Sequence, residues 1–175
     1  MPSISHRAGV LTVSDLGSRG ARVDTAGPAV ASLLADAGFE VSEQAMLPDE
    51  PDQISALLCR WADEGSIALV VTAGGTGLGP RDRTPEATLT AVEYRVPGME
   101  EAMRAASVAV VPTAMLSRAI CGVRGQTLIV NLPGSERAAR ENLAVLLPVL
   151  EHACSSLRGD AQESASTHER LKEQA

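Results

Sequence analysis

The 175-residue sequence has almost no lysine and almost no aromatic side chains. Lys172 is its one lysine, against 14 arginines, and Phe39, Trp61 and Tyr94 are its only Phe, Trp and Tyr residues. The core must therefore be aliphatic. Stacking platforms for single-stranded nucleic acid are excluded, because such surfaces need several rings in series. A net charge of −7 gives no overall field that gathers phosphate backbones, so no nucleic-acid partner is expected. Any anionic ligand must meet a local cluster of arginines, which hold phosphates bidentately, or of backbone N–H groups. The three cysteines, Cys59, Cys121 and Cys154, are odd in number and irregularly spaced. They form neither a zinc pattern nor a disulfide framework. His6, His152 and His168 are scattered, and no His/Cys/Asp arrangement reads as a nucleophile triad. No run approaches the roughly 18 apolar residues of a membrane span, and no basic-then-apolar leader follows Met1. The expected place is the cytoplasm, with no membrane partner.

The apolar fraction of 45% is that of a globular chain, and the length suits one domain. Arg7 to Val13 reads as a short buried strand, followed by a polar, glycine-containing loop. Val30, Leu33, Leu34 and Ala37 share one face of a helix over Gly27 to Ala37, which Gly38 stops. Glu40 to Leu47 is a second strand. Ile54, Leu57, Leu58 and Trp61 repeat the helical spacing, with Gly65 closing that helix. Ile67 to Ala73 is a nearly continuous apolar run, as expected of a central parallel strand covered on both faces. A further helix is expected from about Pro85 and another over Met99 to Val108. Two strands around Arg124-Gly125 lie within Ser117 to Leu132, and a long helix spans Ser135 to His152, where Pro148 predicts a kink or late break. Strands alternating with helices predict a doubly wound α/β sheet. Residues 159–175 are polar, with little to bury, and read as a disordered tail behind a domain over 1–158.

The chemistry concentrates after the third strand. Gly74, Gly75, Gly77 and Gly79 lead into Pro80, Arg81, Asp82, Arg83 and a helix start at Thr84-Pro85. Gly74 and Gly79 have P-loop spacing, but no lysine follows, and the dinucleotide fingerprint is one residue short and on the wrong strand. The segment nevertheless suits anions, since glycines let backbone N–H groups approach a phosphate and a helix start offers free N–H groups and a positive dipole end. Thr84 is a candidate N-cap with Pro85 at the first helical position. Asp82 could be a turn carboxylate or could hold a divalent cation against phosphates. Asp49, in LPDEPD after the second strand, could cap the next helix or face the same site. Asn131 to Asn142 repeats the plan of strand, small-residue turn and helix, with Gly134 and Ser135 at a second helix start. Ser14-Asp15, ending the first strand, could line the cleft or form a turn.

TAGGTGLGPRDRTPEAT resembles the TTGGTG-x-x-PRD-x-TPEAT signature of the MogA/MoaB family of molybdenum-cofactor proteins. VSDLGSRGARVDTAGP, LPDEPDQI and AMLSRAICGVRGQTLIVNLPGS are similar to three further family segments, so that the resemblance covers about Gly9 to His152. Gln126 departs from it, standing where a small residue is common, as does Ala73 where threonine often stands. The resemblance implies a three-layer, mostly parallel α/β fold with helices on both faces, assembled as a homotrimer. It implies transfer of AMP from Mg-ATP to the phosphate of molybdopterin, giving adenylyl-molybdopterin and pyrophosphate for a downstream metal-insertion protein. Asp49 and Asp82 match the family's acidic functional residues and would hold Mg²⁺. Gly74, Gly75, Thr76 and Gly77, with Arg81, match its glycine loop, and Pro133, Gly134 and Ser135 match its second phosphate turn. Ser117 and Arg118, with Ser14 and Asp15, fall on the pterin side. A MoaB-like protein that binds molybdopterin without adenylylating it, and a CinA-like nucleotide pyrophosphatase, are the alternatives.

Overall fold

The computed structural model describes residues 6–159, so the polar tail lies outside the described residues apart from Gly159. Six strands form one sheet in the order β2-β1-β3-β6-β5-β4. They are β1 Arg7–Val13, β2 Glu40–Leu47, β3 Leu69–Ala73, β4 Tyr94–Arg95, β5 Cys121–Arg124 and β6 Thr127–Leu132. β1, β2, β3 and β6 run parallel, and β5 and β4 add an antiparallel edge. The doubly wound reading holds. The two-residue β4 escapes it, because two residues carry no periodicity.

Each central strand sends alternate side chains to two cores. Val10, Val71 and Val130 pack with α2 (Ala26–Asp36), α5 (Pro97–Val108) and α6 (Glu136–Arg158). Leu11, Val70 and Ile129 pack on the other face with α3 (Pro51–Asp63) and α4 (Thr84–Ala91). This is why β3 reads as an unbroken apolar run: both its faces are covered. Trp61 of α3 lies against Gly9, where a Cβ would come within 2.9 Å of the ring. Burial pushes the thiols of Cys121 and Cys154 up to about 12, so both behave as small apolar fillers.

Three expectations change. Pro148 does not break α6 late, since the helix continues to Arg158 and ends at Gly159, with φ +79°. Pro148 and Ala144 both lie on the exposed side, where water can satisfy the carbonyl that proline leaves without a donor. The loop after β1 contains a single-turn helix, α1 (Asp15–Ser18), capped by the Ser14 hydroxyl accepting from Gly17 N–H at 3.0 Å. Thr84 is not the N-cap of α4: Arg83 holds that position, and Thr84 is the first helical residue, fully buried.

One buried charge ties α5 to the sheet. Glu100 is 1% exposed and accepts from Arg95 Nε at 3.1 Å and from Cys121 N–H at 3.0 Å. Arg95 Nη2 and Arg104 Nη2 approach its second oxygen. Burial alone would raise its carboxyl, but these donors hold it below the usual value of 4.5. A depressed carboxylate stabilises the fold above its unfolded pKa and loses that contribution as pH falls through the folded one. Glu100→Gln is therefore expected to cost about 2 kcal/mol at pH 7, with the deficit against wild type shrinking below about pH 4.5. Denaturant titrations at both pH values check this, and a deficit independent of pH would contradict it.

Candidate functional site

β1, β2, β3 and β6 all end at one edge of the sheet, the edge where ligands bind in open α/β folds. Beyond their carboxyl ends lie Ser14, Asp49, the Gly74–Gly77 turn and the Pro133–Ser135 turn. Gly74 has φ +112°, and a Cβ on it would lie 2.2 Å from the Val13 carbonyl oxygen. Only glycine lets β1 and β3 end so close together. A Cβ on Gly134 would lie 3.2 Å from Gly74 Cα, so the two glycine turns touch. The Ser135 hydroxyl accepts from Ala138 N–H at 3.3 Å and caps α6.

Asp49 is buried and is not the cap of α3, a position held by Glu50. It is locked to Asp15 instead: Asp15 N–H donates to Asp49 Oδ2 at 2.9 Å, and Asp49 N–H donates to Asp15 Oδ1 at 3.1 Å. Burial raises the Asp49 carboxyl above its usual range; the negative charges of Asp15 and Asp82 add to this, while the hydrogen bond to Asp15 and the charge of Arg81 oppose it. Asp82 accepts from Gly79 N–H at 2.8 Å through Oδ2.

Arg81 lines neither cleft. Its guanidinium donates to both oxygens of Asp15, at 3.0 and 3.1 Å, and to Glu50 Oε1 at 2.6 Å. It holds the Asp15 carboxyl below its usual range and fixes the residue that fixes Asp49. Arg118 also acts on protein groups, donating to the Gly77 carbonyl at 2.8 Å, the Asp82 carbonyl at 2.6 Å and the Glu86 carboxylate. It ties down both ends of the glycine loop.

Two clefts meet over that loop. The first, about 520 Å³, is lined by Ser14, Arg22, Asp24, Asp49, Gly74 and Ser135 among others. The second, about 420 Å³, has Thr76, Gly77, Arg104, Ser117, Pro133 and Asn142 in its wall. Gly75, Asp82 and Gly134 belong to both. The sequence-predicted pterin residues are thus divided, Ser14 in the first cleft and Ser117 in the second. Sequence reading missed Arg22 and Asp24 in the first cleft and Arg104 in the second. Asp24 had a signal, since a carboxylate three residues before a glycine in a helix start is a capping pattern, and it accepts from Gly27 N–H at 2.9 Å. Arg22 and Arg104 carry none, because periodicity does not say which surface arginine borders a cleft.

Residues 9–152 match a family model described as "Probable molybdopterin binding domain". The chain belongs to this molybdopterin-binding family. It is 43% identical to the molybdopterin adenylyltransferase of Escherichia coli K12, over 78% of this chain and 71% of that one. It is 37% identical to gephyrin of Dictyostelium discoideum over 94% of this chain, which is only 24% of gephyrin. The first curated relatives are longer proteins, of which the chain spans 24%, 27% and 49%. The crystal structure of MoaB from Thermus thermophilus superposes with TM-score 0.83 at 51% identity, covering 88% of this chain and 97% of that one. The fold expected from the resemblance is the fold observed.

The Mg²⁺ implied for this family suits the donors present. Among the described residues no group of three or more His, Cys, Asp or Glu side chains converges as a metal cage. Asp49 and Asp82 instead form a pair of carboxylates at one cleft, close enough that the charge of Asp82 raises the Asp49 carboxyl. Mg²⁺ is commonly held in this way, by one or two carboxylates together with substrate phosphates.

Proposed function

We propose that the chain is a molybdopterin adenylyltransferase of molybdenum-cofactor biosynthesis, transferring AMP from ATP to the molybdopterin phosphate and releasing pyrophosphate. The observation that carries this reading is the pair of clefts joined at Gly75, Asp82 and Gly134. Two substrates between which an adenylyl group passes need two sites with one shared point, and at that point Asp82 could hold a cation between itself and phosphate. The relatives named molybdopterin adenylyltransferase support the same reading.

The first cleft takes ATP, with Arg22 beside its phosphates, and the second takes molybdopterin, with Ser117 on its wall. A phosphate oxygen of molybdopterin forms a bond to the α-phosphorus of ATP while the bond from that phosphorus to the β-phosphate oxygen breaks, and pyrophosphate leaves. Among the described residues the Gly75, Thr76 and Gly77 N–H groups donate no hydrogen bond within the fold. With the α6 N-terminus behind Ser135, they orient the phosphates and stabilise the charge that shifts onto pyrophosphate. Mg²⁺, when bound at Asp49 and Asp82, supplies charge neutralisation of the triphosphate. No covalent enzyme intermediate is required. The activity belongs to a domain over 1–158, acting in the cytoplasm and passing its product to a metal-insertion protein. No helix among the described residues is long and apolar enough to cross a membrane.

The domain assembles as a homotrimer in this reading, which rests on the family resemblance. Sedimentation equilibrium at micromolar protein is expected to give three chain masses; a mass of one chain would contradict it.

The activity is tested by incubating the protein with molybdopterin, ATP and Mg²⁺ and following adenylyl-molybdopterin and pyrophosphate. Adenylyl-molybdopterin in step with pyrophosphate is expected, whereas AMP formed without molybdopterin would mark a hydrolase and no turnover a binding protein. Asp82→Asn is expected to lower the rate by about two orders of magnitude or more while molybdopterin still binds. Asp49→Asn is expected to lower it comparably with no loss of melting temperature. The raised Asp49 carboxyl means that its ionised form opposes folding at pH 7, and asparagine still accepts from Asp15 N–H. Wild-type rates in both variants would overturn the assignment.

A further inference from the structure

Asn142, in the wall of the second cleft, has a side chain that the fold uses only by half. It belongs to α6 and is 5% exposed. Its amide nitrogen Nδ2 donates to the Ala138 carbonyl at 2.9 Å, one helical turn back, and to the Ser107 hydroxyl of α5, also at 2.9 Å. A carbonyl can only accept, so the amide has one orientation: both N–H groups are spent on the protein, and Oδ1 is left as an acceptor. Among the described residues no donor reaches Oδ1, and it is not one of the partnerless oxygens sealed from solvent, so its open side is the cleft. The tie between α5 and α6 needs the nitrogen alone. An acceptor in so buried a wall is best satisfied by a donor that a ligand brings.

The place of Asn142 along the cleft suits one end of an elongated ligand. Gly134, at the crossing shared by the two clefts, precedes the start of α6, and Asn142 stands two turns further on, about 10 Å along the axis. Glu141 offers another acceptor in this wall, but it is exposed and paired with Arg137 at 2.8 Å, which places it at the rim. Asn142 Oδ1 is therefore an inner, uncharged acceptor at a distance from the phosphate-binding turns. Molybdopterin has matching ends: its phosphate lies at one end of the fused rings, and at the other a pyrimidine ring presents two donors, N3–H and the 2-amino group.

We propose that Asn142 is a specificity residue for molybdopterin, its Oδ1 accepting a hydrogen bond from the N3–H and 2-amino edge of the pyrimidine ring. The pyrimidine end is thereby turned in between α5 and α6, and the phosphate is left at Gly75, Asp82 and Gly134. A ring that turned its carbonyl to this point would set oxygen against oxygen, so the contact selects orientation as well as identity. The proposal rests on the reading of the second cleft as the molybdopterin site.

The test measures molybdopterin binding by equilibrium ultrafiltration in wild type, Asn142→Ala and Ser107→Ala. Asn142→Ala is expected to bind about tenfold more weakly, the effect of one lost hydrogen bond. Ser107→Ala breaks the same tie between α5 and α6 but leaves Oδ1 oriented by Ala138, and is expected to stay within about threefold of wild type. A non-hydrolysable ATP analogue is expected to bind all three proteins alike. A crystal structure of wild type with molybdopterin is expected to place a pyrimidine nitrogen about 3.0 Å from Oδ1. Wild-type affinity in Asn142→Ala, equal weakening in Ser107→Ala, or a pterin with no nitrogen at Oδ1 would overturn the proposal. If wild type binds no molybdopterin, the adenylyltransferase reading and this one fall together. If molybdopterin binds and Asn142→Ala weakens it while no AMP is transferred, the adenylyltransferase reading alone falls.

Discussion

The architecture turns on a contact that has no side chain in it. The backbone of Gly74 passes against the Val13 carbonyl on one side and Gly134 on the other, with no space for a Cβ toward Val13. Three parallel strands, β1, β3 and β6, are thereby allowed to end together. Everything with chemical potential follows from that convergence. The β3 turn and the β6 turn each open onto a helix start, and the β2 end delivers Asp49 beside them. Larger residues at the crossing would spread the strand ends and separate the two clefts that share Gly75, Asp82 and Gly134.

Around this crossing, charge is used to hold the site together. Arg81 looks from sequence like a phosphate ligand and Arg118 like a residue of the pterin side, yet both commit their donors to protein oxygens. Arg81 fixes Asp15, and Asp15 fixes Asp49 by a reciprocal pair of backbone-to-carboxylate hydrogen bonds. Arg118 closes the loop that carries Asp82. Buried or partly buried acidic groups repel one another and lose hydration, so an arginine that organises them serves the site without touching substrate.

Much of the frame was legible in the sequence. β1 and β2 have the boundaries read from an apolar run and from an alternating one, and the alternation of strands and helices gave the layered α/β class, because burial leaves a pattern in residue type. The Gly74–Gly77 and Pro133–Ser135 turns were legible from composition, since few other residues accept such backbone angles and approaches. What the sequence hid was partnership. Nothing local tells Arg81 to meet Asp15, 66 residues away, or tells Arg118 to reach back 41 residues to the Gly77 carbonyl. Thr84 shows the same limit: Thr-Pro at a helix start is the pattern of a cap, and only the packing reveals that Arg83 holds the cap and Thr84 is buried. Asp49 is the converse case, since Asp before Glu-Pro also reads as a cap, and the structure turns its carboxylate to the cleft.

The central claim is that the clefts divide one product between them. The measurement that tests it most directly is a crystal structure of the protein with adenylyl-molybdopterin bound. Adenosine is expected in the first cleft between Asp24 and Ser135, with the pterin beside Ser117 and Arg104 and the phosphates crossing at Gly75, Asp82 and Gly134. A product lying wholly within one cleft, with neither phosphate near Asp82, would contradict the account.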